Sequence, residues 1–219
     1  MRHINHIQKG ITLHSALLSL LLPLLIACSS PTIPQDAAQE NRLPTIFPEY
    51  TDVTVPCNIC PLNFSVREDA AEAVARLTAA DGTQKVYGEG TTILIDEAEW
   101  KDMLAASKGK SIKVEVFANT NGKWLAYRPF SINVATDSID QFISYRLIQP
   151  SYVAYEMLVI AQRDITTFEE KEIYNKMSIS TEQSAQCINC HSYRNFKTGQ
   201  MLFHMRQAKG GTMIVQGNT

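Results

Sequence analysis

The chain has 219 residues and a formal net charge of −2, from 20 Lys and Arg against 22 Asp and Glu. That balance gives no electrostatic attraction for nucleic acid, and no nucleic-acid partner is expected. Five cysteines make the compartment the first question, because the same spacings mean different chemistry in reducing and oxidising surroundings.

The N-terminus answers it. Residues 1–10 carry Arg2 and Lys9, and Ile11–Ala27 is an apolar run rich in Leu, ending in Leu25-Ile26-Ala27-Cys28. A basic start, an apolar stretch and small residues before a cut mark a secretory signal. The Cys directly after Leu-Ile-Ala resembles a bacterial lipobox, in which that cysteine becomes the acylated first residue of the mature chain. The alternative is an uncleaved membrane anchor of roughly spanning length; Pro23 and the small-Cys ending oppose it.

Cleavage before Cys28 leaves 192 residues, removes Arg2 and Lys9, and brings the charge to −4. It also removes His3, His6 and His14, so His191 and His204 are the only mature imidazoles. Residues 28–45 are rich in Ser, Pro and Gln, including Ser29, Ser30, Pro31, Pro34, Gln35 and Gln39. Such a composition cannot bury a core and reads as a flexible tether between lipid and body. The expected location is the cell envelope, lipid-anchored through Cys28, most simply at the outer membrane. Ser29-Ser30 supply no acidic export tag, which favours the periplasmic face.

Residues 46–136 read as a β-sandwich domain. Val53 and Val55, then Leu62, Phe64 and Val66, then Ile112, Val114 and Val116 alternate with polar neighbours, as half-buried strands do. Asp81-Gly82 and Asn121-Gly122 are hairpin signals. Gln84–Tyr87, Thr91–Ile95, Lys123–Tyr127 and Phe130–Val134 supply further strands. One helix interrupts them, with Asp96 as N-cap, Glu97 and Glu99 in its first turn and Gly109 to close it. About seven short strands over about 90 residues predict an antiparallel sandwich, immunoglobulin-like in type.

Cys57-Asn58-Ile59-Cys60 lies in this region with Pro61, not His, after it. A second covalent haem is therefore not expected there. A local disulfide is the simplest reading in an oxidising compartment. Free thiols, a tetrathiolate zinc site shared with Cys187 and Cys190, and a role beside a haem are the alternatives.

Residues 137–219 are less regular and read as a mixed segment with short helices. Asp137 or Ser138 can cap a helix through Ile139, Phe142 and Leu147, ended by Pro150. Val153–Ala161 reads as a strand. Thr166-Thr167-Phe168-Glu169-Glu170 and Ser180-Thr181-Glu182-Gln183 offer capping boxes. Glu169, Glu170 and Glu172 form an acidic cluster, which reads as a solvated face rather than a catalytic one.

Within this segment Cys187-Ile188-Asn189-Cys190-His191 matches Cys-x-x-Cys-His, the attachment sequence of a c-type haem. Two thiols add across the two vinyl groups, and the adjoining imidazole ligates the iron. Cys187 and Cys190 are the candidate thioether residues and His191 the proximal iron ligand. His204, in Met201-Leu202-Phe203-His204-Met205-Arg206, is the candidate distal ligand, on a helix or extended arm folded over the ring. Met201, Met205 and Met213 are its rivals, and an open site is the third possibility. Arg194, Lys197 and Arg206 are candidate partners for propionates, or simply solvated charges.

Several segments together resemble a family. They are residues 48–56 (Pro48-Glu49-Tyr50-Thr51-Asp52-Val53-Thr54-Val55-Pro56), Asn58-Ile59, Pro61-Leu62-Asn63-Phe64, Tyr145-Arg146-Leu147-Ile148-Gln149-Pro150, and Cys187–Tyr193 through Phe203-His204-Met205-Arg206 to Gly210-Gly211-Thr212. The set is similar to Bacteroidetes lipoproteins labelled TolB-like or cytochrome c biosynthesis proteins, over about residues 45–215. Cys57 and Cys60 are not part of that pattern. The resemblance implies an envelope lipoprotein with the haem motif, followed by a TolB-type β-propeller. Thr212-Met213-Ile214-Val215 then reads as a first propeller strand, and the chain as either a fragment or a short version.

The leading functional expectation is a membrane-tethered haem c protein that transfers electrons to a redox or envelope partner. The alternative is a non-redox envelope module that binds glycan or protein, its cysteines held in disulfides or zinc. An enzyme ranks third: no Ser/His/Asp set, phosphate loop or suggestively paired carboxylates occur, although an open haem would support peroxidase chemistry.

Overall fold

The computed structural model describes residues 31–148, 158–175, 187–197, 199–206 and 210–217. The signal segment, Cys28, Ser29-Ser30, Pro150, the first part of Val153–Ala161 and the 180–183 capping box lie outside the described residues. The described chain is mainly β, with several antiparallel sheets.

Strands β1 (Ala38–Glu40), β2 (Ile46–Phe47), β3 (Thr54–Val55), β4 (Phe64–Val66) and β5 (Glu72–Thr78) come first. β6 (Gln84–Tyr87) and β7 (Thr92–Ile93) precede helix α1 (Glu97–Ala106), followed by β8 (Ser111–Thr120), β9 (Lys123–Tyr127) and β10 (Phe130–Val134). β8 is the spine of a seven-stranded sheet. Along one of its edges runs β5, with Glu72 opposite Asn119 and Thr78 opposite Lys113. Along the other lie β10 and β9 end to end, with Phe130 opposite Val114 and Ala126 opposite Phe117. β6 extends the sheet beyond β5, while β1 joins β9 and β3 joins β10 in parallel.

A second sheet, β2-β4-β7, faces this one. Its Ile46, Phe64, Val66 and Ile93 share one core with Ala75, Leu77, Ile112, Val114, Val116 and Ile132 of the large sheet. The strict alternation of β8 from Ser111 to Val116 drives this, with Ile112, Val114 and Val116 buried and Lys113 exposed between them. Helix α1 closes the core with Trp100, Met103 and Leu104. Asp96 Oδ1 caps it, accepting from the Ala98 and Glu99 amides at 2.9 and 3.0 Å. Asn121 and Gly122 both take positive φ, 53° and 78°, the geometry a two-residue hairpin between right-twisted strands requires.

Composition marks residues 28–45 as a tether, yet the ladder already includes Ala38–Glu40. Backbone pairing to Leu125–Tyr127 needs no apolar side chain. Arg42 then grips Glu68 with two bonds of 2.8 and 2.7 Å, and the Thr45 amide donates to the same carboxylate at 2.7 Å.

The second half forms two three-stranded antiparallel meanders. One consists of β11 (Phe142–Leu147), β12 (Val159–Asp164) and β13 (Glu170–Asn175); the other of β14 (Cys187–Tyr193), β15 (Gln200–Arg206) and β16 (Gly211–Gln216). Leu158, Ile160 and Tyr174 from the first meet Met201, Phe203 and Met205 from the second in a separate small core. The Tyr174 and Phe203 rings lie 5.3 Å apart.

Two helices expected here are strands or turns instead. Residues 142–147 pair residue for residue with β12; Phe142, Ile143 and Tyr145 suit a pleated strand, and pairing outweighs the capping signal before them. At the Thr166 capping box the side chains build a turn. Asp164 Oδ1 accepts from the Thr166 amide at 2.8 Å and its hydroxyl at 2.7 Å, and Thr167 Oγ1 accepts from the Glu169 amide at 3.1 Å. Asp and Thr satisfy a turn as readily as a helix start. Of the acidic cluster that follows on β13, Glu170 accepts from the Tyr145 hydroxyl, Glu172 accepts from Asn175 Nδ2 at 2.8 Å, and Glu169 and Glu170 are exposed. Among the described residues no helix is long and apolar enough to cross a membrane.

Candidate functional site

The haem-type motif lies on a strand, not on a helix. In the β14–β15 ladder Cys187 is opposite Arg206, Ile188 opposite Met205 and Asn189 opposite His204; pairing then resumes with Ser192 opposite Leu202 and Tyr193 opposite Met201. Two residues, Cys190 and His191, thus stand against one, Phe203. This is a β-bulge, the device that re-aims a side chain out of strand alternation. Cys190 takes φ 57° and is exposed. A non-glycine residue in the left-handed region is uncommon and often marks a functional position.

Within the bulge His191 lines a cleft of about 560 Å³. The cleft is also lined by Ile139, Asp140, Phe142, Ile143 and Ser144 of β11 and its approach, and by Gln162 of β12. Phe196, 92% exposed, stands at the rim on the turn after β14. Ile139, Phe142 and Ile143 are themselves exposed, so the cleft presents apolar side chains among its polar ones.

Two hydrogen bonds fix this geometry. The Tyr193 hydroxyl donates to Ser144 Oγ at 3.0 Å, and Ser144 donates onward to the Ala161 carbonyl at 3.1 Å. The His191 ring meets the Tyr193 ring edge-on, with centroids 6.2 Å apart.

His204 does not line this cleft. It is half-buried on β15, and its Nδ1 is 3.2 Å from Thr212 Oγ1 on β16. Met201 and Met205 are buried at 4% and 1% exposure, and Met213 packs beside them. Their side chains serve the small core. Arg194 and Arg206 are exposed, as is Lys197; Arg194 bonds Gln200 at 3.2 Å.

Cys57 and Cys60 are half-buried thiols on a turn that joins the two halves of the molecule. The Cys57 amide donates to the Asp137 carbonyl at 3.3 Å and the Cys60 amide to the Ile165 carbonyl at 2.8 Å. Asn58 makes a reciprocal pair with Ile139: its Nδ2 donates to the Ile139 carbonyl at 2.9 Å, and the Ile139 amide donates to its Oδ1 at 3.1 Å. The buried Trp100 anchors the same turn, Nε1 donating to the Ile59 carbonyl at 3.0 Å. Burial pushes the Cys60 thiol up, against the pull of the neighbouring Arg163 guanidinium. Among the described residues no three His, Cys, Asp or Glu side chains converge as a metal site.

The cleft walls carry no signal in the sequence. Ile139, Phe142 and Ile143 stand about 50 positions before His191, and the small core together with the Tyr193–Ser144 bond brings the two strands together.

No protein-family model matches the chain, and no curated protein matches it.

Proposed function

We propose that this chain is a lipid-anchored envelope protein that carries a covalently attached haem c and transfers electrons. The observation that carries the reading is His191: the imidazole of a Cys-x-x-Cys-His motif lines a cleft of ligand size with both apolar and polar walls. Small-molecule sites of about 300–1,000 Å³ with mostly apolar walls and few polar groups are the usual form. A cleft of about 560 Å³ falls in that size range; its lining is mixed, with Ile139, Phe142, Ile143 and Phe196 beside Asp140, Ser144, Gln162 and Ser192. The haem would supply reversible one-electron chemistry.

In this reading Cys187 and Cys190 hold the group by thioether bonds and His191 ligates its iron. Phe142 and Ile143 of β11 would offer the group apolar contact. Tyr193 and Ser144 fix the separation of the walls, so the imidazole is held ready. His204, whose Nδ1 lies 3.2 Å from Thr212 Oγ1, is proposed as the second imidazole that would ligate the iron.

The immunoglobulin-like character of the 46–136 sandwich, membership of the TolB-like lipoprotein family, and acylation at Cys28 belong to the same proposal. They rest on strand count, on the shared segments and on the lipobox-like sequence. The protein expressed in a host that attaches haem should give a Soret band and a haem-staining band on a denaturing gel. Both should vanish in the Cys187→Ser/Cys190→Ser variant. A colourless wild-type protein from such a host would favour the envelope binding module instead.

A further inference from the structure

We propose that Cys57 and Cys60 form a reversible dithiol–disulfide site, oxidised by small-molecule or protein disulfides, that sets how tightly the cleft wall at Ile139 is held. The inference does not depend on haem attachment.

The turn is built as a clasp. Three of its four residues bond directly to the segment from Thr136 to Ile139 or to Ile165. Ile139 is itself a wall of the His191 cleft. The fourth, Ile59, is fixed from behind by Trp100, which is fully buried. A change within Cys57–Cys60 therefore has a rigid backing on one side and the cleft wall on the other.

Both sulfurs are part of the clasp. Cys57 Sγ lies 3.8 Å from the Thr136 carbonyl and donates its hydrogen to it. Cys60 has Arg163 of β12 beside its sulfur. Oxidation removes both thiol hydrogens, so the Cys57 contact to Thr136 is lost by chemistry alone. The chain turns at the pair, the Ile59 amide donating back to the Pro56 carbonyl at 3.4 Å.

The step balances as thiol–disulfide exchange. One cysteine thiolate attacks a sulfur of the donor disulfide, forming a mixed disulfide and expelling one donor thiolate. The other cysteine thiolate attacks the protein-side sulfur of that bond, forming Cys57–Cys60 and expelling the second donor thiolate. The protein pair loses two electrons and two protons, and the donor gains both as two thiols.

The test poises the full chain in glutathione buffers from reduced to oxidised, alkylates remaining thiols, and maps the 57–60 peptide by mass. Hydrogen exchange at the Ile139 amide is followed on the same samples. The expected result is loss of two hydrogens from that peptide at the oxidised end, restored on reduction. Exchange at Ile139 should be about two- to fivefold faster in the disulfide form, the scale of one weak S–H···O contact. The Cys57→Ser/Cys60→Ser variant should show no redox response at Ile139. Thiols that stay alkylatable throughout, unchanged exchange in the disulfide form, zinc bound stoichiometrically to the pair, or a response persisting in the double variant would each overturn the proposal.

Discussion

The Tyr193 hydroxyl donates to Ser144 Oγ across 3.0 Å, joining strands 49 positions apart in the chain. Tyr193 follows the haem-type motif by two residues, and Ser144 lies on the strand that walls the cleft. One hydrogen bond thus ties the bulge that carries His191 to the surface it faces.

Tyr193→Phe removes the donor and keeps the ring against Met201. The expected cost is about 0.5–1.5 kcal/mol in denaturant unfolding, the net worth of one ordinary hydrogen bond. Amide exchange should quicken in 187–193 and 142–147 and stay unchanged in the sandwich. Equal acceleration everywhere would mean that the bond has no local role.

Trp100→Phe tests the backing of the Cys57–Cys60 turn. The ring volume is largely kept, but the Ile59 carbonyl loses its indole donor. A loss of about 1–3 kcal/mol is expected for an acceptor left unsatisfied in a half-buried turn. Trp100→Ala adds a core cavity, and a total of about 3–5 kcal/mol is expected. Thermal or urea unfolding of both variants checks the order.

Glu68 gives the fold an acid-sensitive element. Its two bonds to Arg42, and then the Thr45 amide, hold its carboxyl down to about 2 from an ordinary 4.5. A depressed carboxyl favours the folded state above its unfolded value, and this contribution fades as pH falls from about 4.5 towards about 2. Glu68→Gln should cost about 1–2 kcal/mol at pH 7, moderated because Arg42 is half exposed. It should also flatten the acid limb of the stability curve. Glu99 and Glu115, both held low by bonded cations, leave part of that limb in place. An unchanged limb in the variant would show that Glu68 does not carry it.

For the second iron position, His204→Ala of haem-loaded protein is expected to give a high-spin spectrum that added imidazole returns to low spin. Met201→Ala and Met205→Ala should instead lower stability by about 2–5 kcal/mol, as truncated core residues do, with the spectrum kept. A low-spin spectrum that survives His204→Ala and fails in a Met variant would reverse the assignment.

The sandwich was legible because its strands obey a local rule. Ile112, Val114 and Val116 alternate, Asp96 caps, and Asn121-Gly122 turns, each without help from distant residues. From Asp137 onward local and tertiary signals separate. The same Asp and Thr chemistry that starts a helix closes the Asp164–Glu169 turn, and Phe142–Leu147 becomes a strand only because β12 lies beside it. At the site, the motif residues Cys187, Cys190 and His191 were readable by spacing. The bulge that turns His191 towards Ile139 and Phe142 was not, since it arises from register against Phe203 across the ladder.

The most direct test of the central claim is the intact mass of the protein expressed in a host that attaches haem c. The expected mass is that of the chain plus one haem, retained after acid–acetone extraction and absent from the Cys187→Ser/Cys190→Ser variant. A wild-type mass without the haem increment, from a host that loads a control cytochrome, would contradict the account.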